Sequence, residues 1–186
     1  KPETDEYWIY YTGAEATKMR SDCIGLAICT AGPDGYSTVT PENIRKYKGN
    51  PILTPTGQGR DDGTHVSQAA ILIENGTYYM YYSYRGAEVL PGIRYATSKD
   101  GKVWVKKGEG DLLSRGTEGS VDSRYFEWKQ VFKAFNKNII IWEAFSGKEW
   151  AVCMASSDSP AGPWIKSRKN PIFRPSGVEG TFDKFF

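Results

Sequence analysis

A strand pattern that recurs three times is the feature that most constrains the fold of this 186-residue chain. Each copy begins with an aromatic-rich segment, at residues 7–13 (YWIYYTG), 78–86 (YYMYYSYRG) and 138–147 (NIIIWEAFSG). A second apolar segment that ends in a turn follows each of them, at residues 24–35, 92–104 and 150–164. Recurrence of several short strands at a fixed period is typical of β-propellers, in which each unit forms one blade.

Two further landmarks set the period of the repeat. Ala27, Ala96 and Ala155 stand at equivalent points, 69 and 59 residues apart, and an Asn-Pro-Ile phrase begins at both Asn50 and Asn170. A unit of this length holds about four strands with their turns. The sequence therefore predicts an all-β fold, a β-propeller with three four-stranded blades in one domain of residues 1–186. The predicted blade segments are 1–58, 59–118 and 119–176, and residues 177–186 are expected to start a further strand.

Composition and turn signals agree with a fold made of strands. Aromatic residues make up 14% of the chain, which also contains 20 Gly and 10 Pro. Short runs of Tyr, Ile and Val lie between Gly, Asp and Pro clusters, and no long segment repeats apolar residues at helical spacing. Asp-Gly or Asn-Gly steps at residues 34–35, 75–76 and 100–101 predict hairpin turns, because glycine accepts a positive φ without steric cost.

Charge and hydropathy exclude two classes of partner. The chain has 24 basic and 22 acidic residues, a net charge of +2, and its basic residues are scattered, so we expect no nucleic-acid partner. No apolar run approaches the roughly 20 residues of a membrane-spanning helix, so we expect no membrane partner. The chain begins at Lys1 without Met, from which we expect a processed or truncated N-terminus.

The cysteines and the single histidine argue against a metal or a cofactor. Cys23, Cys29 and Cys153 fit neither a disulfide framework nor a zinc site, and Cys153 is predicted to be a small buried apolar residue in a strand. With one His and few clustered acids, we predict no metal site and no cofactor. A formal glycosylation sequon begins at Asn75, where the predicted hairpin turn already explains the sequence.

Three phrases carry a resemblance to known proteins: GTHVSQAA at residues 63–70, GTYYMYYS at 76–83 and IRYATSKDGKVW at 93–104. They resemble blades of the five-bladed propeller glycosidases, the related glycoside hydrolase families 32, 43, 68 and 130. The resemblance implies five blades around a central cavity and a carbohydrate substrate. It also implies one acidic residue at the start of the innermost strand in each of the first three blades. In order, these act as base or nucleophile, as orienting residue and as general acid.

Glu127 is the residue to which the resemblance assigns the general-acid role. The segment EWKQVF at residues 127–132 resembles the phrase that carries the acid of the third blade. Glycosidases need such an acid to protonate the leaving sugar oxygen. Trp128 is expected to desolvate it, and Asp122 is predicted as a second catalytic residue that accepts hydrogen bonds from sugar hydroxyls. Alternation along a strand leaves another interpretation open, in which Glu127 faces solvent and residues 122–123 form a turn.

The second blade departs from the family pattern. Where families 32 and 68 carry Arg-Asp-Pro, this chain has RDDGTHVS at residues 60–67, with Ser67 nearest the expected carboxylate. Arg60 and Asp62 are predicted to bind substrate. His65, the one histidine, is predicted as catalytic because it stands at the axial end of an inner strand, with a hydrogen-bonded structural role as the alternative.

Three more residues are predicted to bind substrate. Arg124 lies between the two candidate acids, Arg85 ends a strand, and Trp128 offers a ring on which a sugar can stack. Most other aromatic residues are expected to pack between neighbouring blades.

The first blade lacks the position of the family's base or nucleophile. Its inner strand should precede Tyr7, and residues 1–6 are too few to form it. The chain supplies three blades where the family uses five, so an oligomer, or segments missing from the chain, is expected to complete the propeller. Closure of the first blade by a C-terminal strand is a third explanation and places Asp183 near the missing position. We favour a fragment of a larger propeller.

Two function classes remain open. The first is a glycoside hydrolase that cleaves oligo- or polysaccharides with carboxylate acid and base groups, with phosphorolysis or transfer as less favoured reactions. The second is a non-catalytic propeller that binds sugar or protein, or an inactive glycosidase fragment. Convergence of Glu127, Asp122 and His65 on one cavity would favour the enzyme.

Overall fold

The computed structural model describes residues 5–14, 22–31, 39–57, 62–86, 91–108 and 110–182, which form three antiparallel sheets. The first sheet has three strands in the order β1-β2-β3. These strands are β1 (Glu6–Ala14), β2 (Asp22–Thr30) and β3 (Ile44–Lys46). Each strand pairs with the one that follows it in the chain, as in the meander of a propeller blade.

The second and third sheets each have four strands in sequential order. The second consists of β4 (His65–Glu74), β5 (Thr77–Arg85), β6 (Gly92–Ser98) and β7 (Val105–Lys107). The third consists of β8 (Tyr125–Ala134), β9 (Lys137–Phe145), β10 (Trp150–Ser157) and β11 (Ile165–Lys166). A three-residue 3-10 helix, Pro41–Asn43, is the one helical element of the described residues.

The repeat predicted from the sequence is present in the strand register. The three marker alanines Ala27, Ala96 and Ala155 are buried, and each lies opposite a lysine of the outermost strand in its sheet. The predicted all-β blade fold is therefore confirmed. One detail differs, because the described part of the first sheet has three strands rather than four. The innermost position, which β4 and β8 occupy in the other sheets, has no counterpart among the residues described there.

Local turn chemistry explains two of the three predicted hairpins. Asn75 and Gly76 join β4 to β5 with φ values of 49° and 69°, the left-handed region that these residue types tolerate. After β6, Gly101 has φ 72°, and the Asp100 carboxylate accepts hydrogen bonds from the backbone N–H groups of residues 102 and 103, each at 2.9 Å. The step at residues 34–35 lies outside the described residues.

The asparagines of the two Asn-Pro-Ile phrases bind the middle strands β2 and β10. The side-chain amide of Asn50 accepts from the Leu26 N–H at 2.8 Å and donates to the Leu26 carbonyl at 2.9 Å. Asn170 makes the same pair of bonds to Met154, at 2.9 and 3.0 Å. Leu26 and Met154 lie in middle strands, one residue beyond the last pair with the outermost strand. A side chain that satisfies both backbone groups there explains why the same phrase follows the first and third sheets.

Neighbouring sheets pack face to face through a repeated tyrosine contact. Tyr10 of the first sheet and Tyr81 of the second each donate a hydroxyl hydrogen bond to a carbonyl in a turn of the next sheet, at 3.0 and 2.9 Å. Each ring also meets a tryptophan edge, Trp104 at 6.0 Å and Trp164 at 5.6 Å between centroids. Tyr10 and Tyr81 thus pack between blades, as predicted for most of the aromatic residues, and each satisfies its own hydroxyl group there.

Two buried clusters form the core. One joins the first and second sheets and includes Ile24, Val66 and Met80. The other joins the second and third sheets and includes Phe126 and Trp142. Because each cluster draws on two sheets, the inner strands β4 and β8 are held side by side at the junction.

The cysteines and the helical content of the chain bear on two further predictions. Cys23, Cys29 and Cys153 form no disulfide bond, and Cys153 is fully buried, as predicted. Across the described ranges, no helix is long and apolar enough to cross a membrane.

Candidate functional site

A cavity of 290 Å³ lies where the three sheets meet. It takes residues from β1 and β2, from β4 and β5 with the segment that follows, and from β8. The lining residues are Thr12, Asp22, Ser67, Gln68, Ser83, Tyr84, Arg85, Pro91, Tyr125, Phe126, Glu127 and Trp128. Polar side chains that converge on a concave site from several elements are typical of a ligand site.

Glu127 lines this cavity at an irregularity in β8. The pairing of β8 with β9 shifts register just after Glu127, between that residue and Lys129. A bulge of this kind re-aims side chains and is common beside active sites. The Gln68 side-chain amide donates a hydrogen bond to the Glu127 carboxylate, which fixes this carboxylate against β4. Glu127 is half-buried and lines the cavity, whereas residues 122–123 form the turn that the alternative interpretation expected.

Gln68 connects all three sheets at the floor of the cavity. It lies in the matching irregularity of β4 and has φ 56°, which is uncommon for a residue with a Cβ atom. Its backbone N–H donates to Thr12 Oγ1 at 3.0 Å, and its carbonyl accepts from Lys129 Nζ at 2.9 Å. Its side-chain oxygen Oε1 is buried and has no hydrogen-bond partner among the described residues.

Lys129 is buried beneath the cavity. Its side chain reaches back toward the second sheet, where Nζ donates to Ser83 Oγ at 2.7 Å in addition to the Gln68 carbonyl. The residue is 7% exposed. Burial lowers the pKa of Lys129 to about 7, against the opposing influence of the Glu127 charge. The charge of this lysine therefore changes near neutral pH.

Glu143 is a second carboxylate beside Glu127 that sequence reasoning missed. The two glutamates lie directly opposite each other in the pairing of β8 with β9. Burial, followed by the negative charge of Glu127, raises the pKa of Glu143 above its usual value. The hairpin at residues 135–136 sets the register of β8 against β9, so the pairing could in part be predicted. The position of the bulge, however, is not visible in the sequence.

The opposite wall carries an ion pair between the first and second sheets. Asp22, the first residue of β2, lies 3.7 Å from Arg85 at the end of β5. Arg85 was predicted as a substrate-binding residue, and the structure places it in the cavity lining. Asp22 was not predicted, because nothing in its local sequence marks the point where β2 enters the cavity.

Two aromatic rings, Tyr125 and Trp128, stand among the lining residues of β8. Tyr125 stacks on Phe145 at 6.1 Å between centroids, and Phe145 contacts Trp150 at 4.8 Å. Trp128 is 70% exposed, so it presents its ring to solvent and does not bury Glu127 as expected. The two side chains contribute aromatic surface to the cavity lining.

Asp122 is separated from this cavity by its role in a buried ion pair. It is 5% exposed and bonds to Lys166, which also donates to the Ser114 carbonyl at 2.6 Å. Asp62 does the same in the second sheet with Lys106, whose Nζ also donates to the Thr54 carbonyl at 2.6 Å. Burial disfavours the charge of Asp62, but the hydrogen bonds from Lys106 and Thr56 outweigh it and hold the pKa of Asp62 below its usual value. Neither aspartate is in the lining, although both were predicted at the site.

The remaining predicted residues do not converge on Glu127. His65 is half-buried, its Nδ1 lies 2.7 Å from Thr64 Oγ1, and it is not in the cavity lining. Arg124 is exposed and lies beside Gly147. Arg60 lies outside the described residues. Of the three predicted catalytic residues, Glu127 alone lines the cavity.

The second sheet carries serines where the third carries glutamates. Ser67 and Ser83 are paired just before the irregularity of β4, as Glu127 and Glu143 are paired just before that of β8. Ser67, the residue nearest the carboxylate that the resemblance implies for the second blade, thus has the same register position in β4 as Glu127 in β8. Within the described ranges, no group of three or more His, Cys, Asp or Glu residues could hold a metal ion.

Known proteins resemble this chain in structure rather than in sequence. No protein-family model and no curated protein matches it. The solved structure of Zg3597, a family 117 glycoside hydrolase from the marine bacterium Zobellia galactanivorans, matches with a TM-score of 0.74 and 19% identity over 91% of this chain. A thermostable family-43 glycoside hydrolase matches with a TM-score of 0.65 and 22% identity over 92% of it. The GH32 β-fructofuranosidase BmSUC1 of Bombyx mori matches with a TM-score of 0.63 and 18% identity over 89%.

The likeness covers only part of each of these proteins. The chain spans 54% of Zg3597, 53% of the family-43 enzyme and 34% of BmSUC1. The predicted resemblance to propeller glycosidases is thereby confirmed at the level of the fold. This chain shares the blade architecture of these glycoside hydrolases and spans about half the length of the first two.

Proposed function

We propose that the protein is a carbohydrate-active propeller that hydrolyses glycosidic bonds of oligo- or polysaccharides, with Glu127 as the general acid. The observation that carries the proposal is the position of Glu127 in a cavity formed by three sheets, held by the Gln68 amide. The fold likeness to glycoside hydrolases supports it as context, since fold alone does not define activity.

The proposed reaction needs two carboxyl groups. Glu127 donates its proton to the glycosidic oxygen as the bond from that oxygen to the anomeric carbon breaks. A second carboxylate either attacks the anomeric carbon or removes a proton from the attacking water. Asp22 is the other carboxylate of the cavity lining, so it is the described residue placed to take this second role.

Substrate contacts are assigned to the residues that line the same cavity. Arg85 supplies a charged hydrogen-bond donor, and Trp128 and Tyr125 supply rings for the apolar face of a sugar. Asp122 and Asp62 are left out of the catalytic assignment, because their carboxylates are committed to Lys166 and Lys106. His65 and Arg124 are left out because they do not reach the cavity lining.

The proposal is tested by turnover of a panel of aryl arabinofuranosides, xylosides, mannosides and fructosides. The Glu127→Gln variant keeps the shape of the side chain but cannot donate the proton, so we expect turnover to fall about 100-fold or more. Glu118→Gln is the matched control, because Glu118 is exposed on a loop outside the cavity. Equal turnover of the two variants on every substrate that the wild type cleaves would contradict the acid role.

A second candidate function is a propeller that binds sugar without cleaving it. The serine pair Ser67 and Ser83, in place of a second glutamate pair, favours this candidate. It predicts calorimetric binding of an oligosaccharide with unchanged affinity in Glu127→Gln and weaker affinity in Trp128→Ala. Measurable turnover that depends on Glu127 would exclude it.

A further inference from the structure

We propose that Lys129 is a positioning residue for Glu127, which it holds in place through Gln68 and Ser83 beneath the cavity. The meaning of this arrangement for catalysis rests on the proposed function. The contacts and the charge of Lys129 can be tested whether or not the protein is an enzyme.

The contacts of Lys129 tie the two inner strands together. Lys129 follows Glu127 by two residues, past the bulge of β8, and its Nζ donates to Gln68 O at 2.9 Å and Ser83 Oγ at 2.7 Å. The Ser83 hydroxyl in turn donates to the Phe126 carbonyl at 2.9 Å, next to Glu127 in the chain. The Phe126 carbonyl before Glu127 and the Lys129 side chain after it are therefore both bonded to the second sheet.

The conformation of Gln68 depends on this lysine. A residue with a Cβ atom at φ 56° is strained and persists only when its surroundings over-determine it. Lys129 binds the Gln68 carbonyl and Thr12 binds its N–H, so both backbone polar groups are held. With its backbone fixed, the Gln68 side chain donates to the Glu127 carboxylate. Lys129 thus positions Glu127 indirectly, through Gln68.

Charge adds to this geometry. The elements packed against Lys129 present neutral Gln68 from β4 and neutral Ser83 from β5. Its own strand presents Glu127, which is the charge that acts on it, and β9 presents Glu143, whose pKa the Glu127 charge raises. The buried amine, when protonated, is therefore a positive charge that interacts with Glu127.

The second sheet shows that a blade does not need a lysine at this point. Ala69 follows Ser67 by the same two residues as Lys129 follows Glu127, and Ala69 packs against the apolar cluster between the first two sheets. A small apolar side chain therefore satisfies the fold. A buried amine, which is costly to desolvate, occurs in the sheet that carries the glutamates.

The test is an NMR titration of the Lys129 side chain, labelled with ¹³C at Cε, in the wild type, Glu127→Gln and Glu118→Gln. Because coupling between two sites is reciprocal, loss of the Glu127 charge should move the Lys129 midpoint down by about 1 pH unit. Glu118→Gln should leave it in place. A Lys129 midpoint that is equal in all three proteins, or near the usual lysine value of about 10.4, would overturn the proposal.

A kinetic readout separates this inference from the proposed function. Where the wild type shows turnover, Lys129→Met should lower kcat about tenfold or more with little change in KM, because the lysine does not reach substrate. Lys133→Met, on the exposed face of the same strand, should match the wild type. Absence of turnover with intact titration coupling would reject the proposed function and leave the positioning role standing.

Discussion

At the residue scale, the burial of the Lys129 amine near Glu127 links the stability of the protein to pH. The folded chain holds Lys129 with a pKa of about 7, whereas the unfolded chain exposes it with an ordinary lysine value. Between these values the unfolded chain binds more protons than the folded one. The free energy of unfolding therefore increases, through Lys129, as pH rises from about 7.

This linkage gives a prediction for Lys129→Met. The variant lacks the titration, so its free energy of unfolding relative to the wild type should fall by about 1.4 kcal/mol per pH unit above pH 7. Urea unfolding between pH 6 and pH 9 measures the difference, with Lys133→Met as the control on the same strand. A difference between Lys129→Met and the wild type that is constant over this range would show that Lys129 is not buried as described.

At the element scale, each four-stranded sheet is closed by a buried ion pair between the segment before its first strand and its last strand. Asp62 meets Lys106 in the second sheet, and Asp122 meets Lys166 in the third, at a constant offset of 60 residues. Each lysine also donates to a backbone carbonyl of the segment that leads into the sheet. The pair thus fastens the connection between consecutive blades.

Removing one partner of such an ion pair should lower the free energy of unfolding more than removing both partners. Asp122→Asn leaves a lysine without its counter-charge and should lower the free energy of unfolding by about 3 kcal/mol. The double variant Asp122→Asn with Lys166→Met should recover part of this loss, because no charge is left unpaired. Chemical denaturation of the two single variants and the double variant measures the coupling. Strictly additive effects would show that the ion pair does not stabilise the blade.

The element scale also shows which features the sequence predicts. Turns such as Asn75-Gly76 and the repeat marked by Ala96 depend on local chemistry, so both are recognisable from the sequence. Glu127 was predicted as a site residue from a resemblance to known proteins rather than from strand alternation. The ion pair of Asp122 was missed because its partner Lys166 lies far away in the sequence. The pairing of Glu143 with Glu127, 16 positions away, was missed because its register depends on a bulge.

At the scale of the whole molecule, two cavities differ in the chemistry that they offer. A groove of 480 Å³ between the first and second sheets is mostly apolar. Its lining residues are Tyr7, Trp8, Ile9, Tyr10, Val39, Ile71, Ile73 and Tyr78. The smaller cavity at the junction of three sheets contains Asp22 and Glu127 together with Arg85. Acid–base chemistry on a sugar needs carboxyl groups, so the smaller cavity is the better site.

The dependence on leaving group is the measurement that tests the central claim most directly. A general acid matters most when the departing oxygen is a poor leaving group and little when it is a good one. Turnover of phenyl and 2,4-dinitrophenyl glycosides of the best substrate is compared in the wild type and Glu127→Gln. We predict a loss of about 100-fold or more on the phenyl glycoside and a much smaller loss on the dinitrophenyl glycoside. Equal losses on the two substrates would contradict the assignment of Glu127 as the acid.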